Sequence, residues 1–225
     1  MIFEALPQSM KNEYTEKYME ILKQRKFSLG VKRAFDMIVS FIALVVLSPF
    51  FLLLAVAIKI DSKGPVFYRQ IRVGRYNTDF KIYKFRTMVQ NADQIGPSLT
   101  VGNDPRVTRM GRLIRKLRLD EFSQLVNVLN GSMSLVGPRP EVRKYVDAYT
   151  PEFMATLLIR PGVTATASIA FKDEDRLLNA AENPDQIYIE QILPPKMAYN
   201  LDYMKNITLW NDVKILFQTV AAVLK

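Results

Sequence analysis

The widest break in the hydrophobic and polar patterning spans residues 38–58, where 21 residues (IVSFIALVVLSPFFLLLAVAI) pass without one charge. As a straight helix at about 1.5 Å per residue this run would reach roughly 31 Å, the hydrocarbon thickness of a bilayer. The buried helix of a soluble domain seldom stays apolar on every face for that length. A cleaved leader fits poorly, because the run starts deep in the chain and lacks a small-residue cleavage site. Ahead of it, residues 11–26 read as an amphipathic helix along a membrane or as a charged arm. Beyond it, residues 66–73 and 80–85 read as two short strands joined through Gly74-Arg75-Tyr76-Asn77. Residues 106–118 set Val107, Met110, Leu113, Ile114 and Leu117 at helical spacing among basic side chains. A second helix over 121–129 closes at Asn130-Gly131, and residues 208–224 gather Leu209, Val213, Leu216, Phe217, Val220 and Val223 on one face beside Trp210. That last face suits either a core or a membrane interface.

Within the apolar run, Ser48-Pro49 falls near the midpoint, and proline there removes a helical hydrogen bond and predicts a kink. Both flanks are basic, with Lys23, Arg25, Lys26, Lys32 and Arg33 before the run and Lys59, Lys63, Arg69, Arg72 and Arg75 after it. Positive residues mark the cytoplasmic side, so a helix that bends at Ser48-Pro49 and returns to the face it entered satisfies both flanks. The predicted architecture is α+β: an amphipathic arm over 1–30, a re-entrant membrane helix-hairpin over 31–62, and a mostly helical domain over 63–225. That domain carries a small β-hairpin and interfacial amphipathic helices.

Composition narrows the chemistry. The 225 residues contain no cysteine and no histidine, which excludes thiol nucleophiles, imidazole bases, Ser-His-Asp triads and zinc sites built on those ligands. Catalysis has to run on carboxylates, hydroxyls, Lys, Arg, Tyr or a hard metal ion. The net charge of +9 points to an anionic partner: nucleic acid, phospholipid or a phosphorylated substrate. The excess sits in one stretch, since residues 23–118 carry 19 basic side chains against five aspartates, a net +14.

Carboxylates meet this basic surface at Asp120-Glu121. Asp120 reads as an N-cap of the second helix with Glu121 in its first turn, or as a carboxylate that attacks phosphorus at an arginine-rich, phosphate-binding helix start. In the second reading the arginines keep Asp120 ionised. In Gly137-Pro138-Arg139-Pro140, two prolines fix the backbone around Arg139 and pre-orient its guanidinium for phosphate; a rigid turn with a solvated arginine is the alternative. Lys84-Phe85-Arg86-Thr87-Met88 places two cations at the end of the second strand.

Taken in order, Lys32-Arg33-Ala34-Phe35-Asp36, Ser48-Pro49, Lys84-Phe85-Arg86-Thr87-Met88, Leu119-Asp120-Glu121-Phe122-Ser123-Gln124-Leu125, Ser134-Leu135-Val136-Gly137-Pro138-Arg139-Pro140 and Arg160-Pro161-Gly162-Val163-Thr164 resemble the monotopic phosphoglycosyl transferases, the bacterial sugar transferases. The resemblance covers the chain from about residue 32 onward. It implies transfer of a phosphosugar from a nucleotide diphosphate sugar, usually a UDP-sugar, to polyprenyl phosphate at the cytoplasmic face of the bacterial inner membrane, with release of UMP. It implies a re-entrant helix broken at Ser48 and Pro49, Asp120 as nucleophile and Mg²⁺ ligand, Glu121 as its catalytic partner, and Lys84, Arg115, Gln124 and Arg139 lining the phosphate site. Mg²⁺ is the implied cofactor; nucleotide sugar, polyprenyl phosphate and the phospholipid membrane are the implied partners, with a homodimer compatible and nucleic acid not expected. The chain departs from the family at Ala165-Thr166-Ala167-Ser168, at Ser132 and at Asn200, where the family usually carries Gly-Leu-Ala-Gln, Asp and Asp.

Two other classes use the same features. A membrane-tethered nucleic-acid binder would account for the charge, but the basic stretch lacks stacking platforms and duplex-reading motifs. A noncatalytic scaffold of glycan assembly would keep the helix and basic surface without the dyad.

Overall fold

A computed structural model describes residues 3–95, 104–179, 181 and 183–224. Helix α1 (Glu13–Gln24) starts at Asn12, whose side chain accepts from the Thr15 N–H at 2.9 Å. Its apolar stripe faces inward: Tyr18, Met19 and Leu22 are buried in the main core with Val128, Met133, Leu158 and Met204. The N-terminal amphipathic pattern therefore forms part of the domain core, where its apolar stripe is removed from water.

Helix α2 (Lys26–Asp61) is continuous over 36 residues with Pro49 inside it. Phe35, Val39, Ala43 and Leu44 of its first half lean on the main core, and Leu54 and Ile58 of its second half are buried against Phe85 and Ile114 in a second cluster. Between them, Val45, Val46, Ser48, Pro49 and Phe50 are exposed, as are Phe41, Ile42, Leu52 and Leu53. Pro49 has no N–H to give the carbonyl four residues back, at Val45. The Ser48 hydroxyl donates to that same carbonyl at 2.8 Å, so the Ser-Pro pair re-satisfies the acceptor that proline orphans, as lipid surroundings require. The sequence predicts a kink at this pair; the structure keeps it within one helix, with Pro49 inside.

Both ends of α2 are tied down by polar contacts. Near the start, Lys32 Nζ lies 2.6 Å from Asp212 Oδ2 and 3.6 Å from Asp36 Oδ2, Ser134 Oγ donates to Asp36 at 2.6 Å, and Tyr203 Oη donates to Asp212 at 2.7 Å. All five residues are buried, so breaking one partner strands a charge in the interior. At the other end Arg86 donates to the main-chain oxygens of Ile58, Ser62 and Lys63 at 3.3, 2.6 and 3.0 Å, capping the helix. Asp61 accepts from the Met110 N–H at 2.9 Å and so opens the arginine-rich helix Arg109–Lys116.

Strands β1 (Phe67–Val73) and β2 (Asp79–Phe85) form an antiparallel hairpin in which Tyr68 opposes Lys84. The turn between them holds Tyr76 and Asn77 at positive φ. Strands β3 (Ser134–Val136) and β4 (Gly162–Thr164) pair in parallel, Ser134 beside Gly162 and Val136 beside Thr164. The chain leaves both strands through one contact: Gly137 N–H donates to Thr164 O at 3.1 Å and Gly162 N–H to Pro138 O at 2.9 Å. A Cβ at Gly162 would lie 2.2 Å from Gly137 N, so only glycine allows the backbones this close. The second helix is shorter than its pattern, a 3₁₀ turn (Leu119–Gln124) followed by a helix of one turn (Leu125–Leu129).

The C-terminal helix (Leu209–Leu224) buries Asp212 and Ile215 and exposes Trp210, Phe217, Val220 and Val223. Its apolar stripe thus faces outward over much of its length. Leu113, Leu117, Phe122 and Val126 are also exposed.

Ser48→Ala is expected to destabilise the protein in micelles by about 1–3 kcal/mol, the cost of a stranded carbonyl. The double variant S48A/P49A regains a backbone donor and should be more stable than Ser48→Ala alone. Denaturation midpoints of the three proteins check this, and equal midpoints for S48A and the double variant would disprove it.

Candidate functional site

The 3₁₀ turn Leu119–Gln124 packs across β2 and brings Asp120 and Glu121 to the end of the hairpin where Lys84 stands. Ser123 fixes this placement, its hydroxyl donating to Tyr83 O at 3.0 Å, while Asn127 accepts from the Tyr83 N–H at 2.9 Å and donates to Lys81 O at 2.9 Å. Arg118, just ahead of the turn, adopts the left-handed conformation (φ 54°) and no side chain caps the turn. Asp120 is consequently not an N-cap; it sits inside the turn with its carboxylate making no side-chain hydrogen bond or ion pair among the described residues.

Glu121 has the opposite situation. Both terminal nitrogens of Arg139 donate to its two carboxylate oxygens, a fork-to-fork pair, and Lys84 Nζ stands 4.0 Å from Oε1. Arg139 is presented by the loop that the Gly137–Gly162 contact fixes. Behind it, Arg72 donates to Pro140 O at 3.2 Å and lies 4.0 Å from Glu141, which accepts from Tyr188 Oη at 2.5 Å; Lys196 donates to Tyr188 Oη at 3.0 Å and to Glu174 at 2.9 Å.

The charges are coupled. Burial alone would raise the Glu121 pKa, but Arg139 and Lys84 outweigh it and bring it to about 2. Burial lowers Lys84 to about 8, with Glu121 opposing and Arg139 adding to the fall. Arg139 is raised, chiefly by the Glu121 charge. Asp120 is pushed above its ordinary value by burial first and by the Glu121 charge second, against Lys84 and Arg139. The sequence predicts arginines that hold Asp120 ionised. The structure reverses the direction of the shift, because burial and the Glu121 charge outweigh Lys84 and Arg139.

Of the sequence-predicted residues, Asp120, Glu121, Lys84 and Arg139 converge. Gln124 closes the same turn, buried, with its Nε2 lacking a partner among the described residues. Arg115 is held by Nε–H donated to Thr87 Oγ1 at 2.9 Å. Ser132 belongs to the turn before β3, its hydroxyl donating to Asn130 Oδ1 at 2.8 Å; Asn200 is buried beside Met197, and Ala165 and Ala167 are buried. Arg72, Glu141, Tyr188 and Lys196 escape sequence reasoning, since nothing in spacing reveals that residues 72, 141, 188 and 196 share one cluster.

As to a metal, no group of three or more His, Cys, Asp or Glu side chains converges among the described residues. Asp120 offers one hard carboxylate, which fits Mg²⁺ when substrate phosphates complete the shell.

A family model described as bacterial sugar transferase matches residues 27–225. The chain is 42% identical over 197 residues to a UDP-N-acetylgalactosamine-undecaprenyl-phosphate N-acetylgalactosaminephosphotransferase of Aeromonas hydrophila, covering 86% of this chain and 44% of that protein. It is 36% identical over 196 residues to a UDP-glucose:undecaprenyl-phosphate glucose-1-phosphate transferase of Caulobacter vibrioides, covering 86% and 69%. It is 37% identical over 201 residues to an exopolysaccharide production protein of Rhizobium leguminosarum bv. phaseoli, covering 86% and 95%. The chain belongs to the bacterial sugar transferase family. It spans less than half the length of several of the curated relatives it matches.

Two measurements follow from these charges. For a reaction in which Lys84 binds a diphosphate as a cation and Asp120 attacks as an anion, kcat/KM is expected to fall as pH rises through about 8 and again as it drops toward the raised Asp120 value. Lys84→Arg should move the alkaline limb beyond about pH 10, because arginine does not titrate there; an unmoved limb would assign it elsewhere. The second measurement is thermal. Since the folded state favours protonated Asp120, its stabilising effect is complete below the ordinary carboxylate pKa and is lost as pH rises through the folded one. Asp120→Asn should therefore raise Tm by roughly 2–5 °C at pH 7, with the gain shrinking as pH approaches 4.

Proposed function

We propose that this chain transfers a phosphosugar from a UDP-sugar to polyprenyl phosphate, the first step of a membrane-linked glycan, through a covalent Asp120 intermediate. The observation that carries the reading is the division of labour in the dyad: Glu121 is locked by Arg139 and Lys84, while the Asp120 carboxylate beside it makes no side-chain hydrogen bond or ion pair among the described residues. The activities for which the relatives are named, sugar-phosphate transfer to undecaprenyl phosphate, support the same class of reaction.

In the first half-reaction an Asp120 carboxylate oxygen attacks the phosphorus that bears the sugar. The bond from that phosphorus to the bridging oxygen breaks, and UMP leaves with the bridging oxygen. In the second, a phosphate oxygen of polyprenyl phosphate attacks the same phosphorus and the aspartyl bond breaks, regenerating Asp120. The covalent stage keeps two polyanions from having to meet at one moment. Lys84 and Arg139 face the phosphates, and Glu121 orients both cations. Asp120 would hold Mg²⁺, which when bound neutralises phosphate charge and assists the departing group. Gln124 and Arg115 complete the phosphate-facing surface in this reading.

For the membrane, we infer that α2 enters and returns on the cytoplasmic side of the bacterial inner membrane, bending around Ser48-Pro49. Both halves of the helix rest on one domain while the stretch between them is exposed, and both flanks are basic. The outward apolar side chains of the C-terminal helix and of Leu113 and Leu117 suit an interface alongside it.

Asp120→Asn is expected to lower UMP release by more than about 100-fold and to abolish the phosphosugar adduct that donor alone leaves on the wild-type chain. Turnover in that variant, with no adduct on the wild type by mass spectrometry, would refute the mechanism. A panel of UDP-sugars in the same assay names the sugar. Because the chain has no cysteine, Phe27→Cys and Lys63→Cys report topology directly. An impermeant thiol reagent should reach both from one side of sealed vesicles, and labelling from opposite sides would exclude the return.

A further inference from the structure

At the base of α2 lies a cavity of about 60 Å³ lined by Lys32, Arg33, Asp36, Arg75, Ser134 and Arg160 together with aliphatic side chains. That volume exceeds several-fold what one water molecule needs. It is separate from the dyad: Arg33 donates to the main-chain oxygens of Val128, Leu129 and Met133 at the far end of the helix Leu125–Leu129, whereas Asp120 precedes the near end.

The cavity is cationic and incompletely neutralised. Lys32 is paired with Asp212 and Asp36. Arg33, Arg75 and Arg160 hydrogen-bond main-chain carbonyls instead, Arg75 through Nε to Leu158 O at 3.0 Å and Arg160 through Nε to Gly131 O at 2.8 Å. Carbonyls satisfy N–H groups without cancelling charge. The terminal nitrogens of Arg160 have no hydrogen-bond acceptor among the described residues, and Arg75 stacks its guanidinium on Tyr76 at 4.3 Å. Burial first, and the Arg160 charge after it, pull the Arg75 pKa down, so the two guanidinium groups sense each other. One acceptor is also left over. Asp36 Oδ1 is buried without a hydrogen-bond partner among the described residues, although Oδ2 is held by Ser134 and faces Lys32.

Depth supplies the remaining argument. Arg33 precedes the uncharged run by five residues, or about 7.5 Å of helix, which matches the thickness of one headgroup layer, roughly 5–7.5 Å. We propose that this cavity binds the headgroup of an anionic phospholipid of the phosphatidylglycerol type. Its phosphodiester oxygens accept from Arg75, Arg160 and Arg33, and a headgroup hydroxyl donates to Asp36 Oδ1. A phosphatidylcholine headgroup carries a phosphate but no net charge and no donor, so it meets neither requirement. The site would seat the membrane helix on the domain through lipid as well as through side chains. It rests on the membrane seating of α2 proposed above, yet binding in micelles tests it without turnover or a bilayer.

The full chain, stripped of lipid in detergent, is titrated with phosphatidylglycerol, phosphatidylcholine or inorganic phosphate, and bound lipid is counted by native mass spectrometry alongside Tm. The wild type should retain one phosphatidylglycerol at least about tenfold more tightly than phosphatidylcholine and show a higher Tm with it. R75Q/R160Q should narrow that preference to under about threefold, while Arg75→Lys, which keeps the charge, should retain most of it. Equal retention of the two lipids by the wild type, or an undiminished preference in the double variant, overturns the proposal. A Tm rise reproduced by inorganic phosphate alone assigns the cavity to a free anion and overturns the lipid. If the double variant does not fold, the wild-type comparison decides by itself.

Discussion

The bidentate pair between Arg139 and Glu121 is the interaction on which the site depends. It joins three segments remote in sequence: the loop after β3, the 3₁₀ turn after the arginine-rich helix, and, through Lys84, the end of the hairpin. Its electrostatic effect is to sort two adjacent carboxylates. Glu121 becomes a fixed anion that holds two cations in place, and Asp120 is left beside that anion with no ion pair of its own among the described residues. An unpaired carboxylate under repulsion is poorly stabilised in the ground state. A cation brought beside it would relieve that repulsion.

Holding such a site requires a rigid frame, and the frame is built from backbone proximity. Gly137 and Gly162 touch so closely that the loop carrying Arg139 and the loop carrying Arg160 form one unit. Arg72, Glu141, Tyr188 and Lys196 then brace that unit from behind, with ion pairs that tolerate burial because each charge has a partner. The same logic governs α2. Its ends are fixed by buried polar networks, the Lys32 cluster at one and the Arg86 cap at the other, which leaves its uncharged middle to project from the domain.

Polar accounting also explains why the uncharged run carries Ser48 next to Pro49. In water a stranded carbonyl finds a solvent donor; in hydrocarbon it does not. A hydroxyl one residue before the proline reaches the orphaned oxygen of Val45 within a single turn, so the helix can hold a proline where bending is useful.

Much of this was legible in the chain alone because it is local. Period-two runs placed the hairpin to within a residue, and the uncharged run lies within the long helix α2. The ordered motifs fixed the family. Spacing could not say which face of an amphipathic helix turns inward, and two helices went different ways: α1 is buried in the core, while the C-terminal helix buries Asp212 and Ile215 and turns Trp210 and Phe217 outward. Nor could it say which of two neighbouring carboxylates receives the arginine. That choice depends on where the Gly137–Gly162 contact aims Arg139, a distance set by backbones 25 residues apart in sequence and touching in space. Local pattern determined the elements and the reagents; long-range packing decided their charge states, because electrostatic energy follows separation in space and not position along the chain.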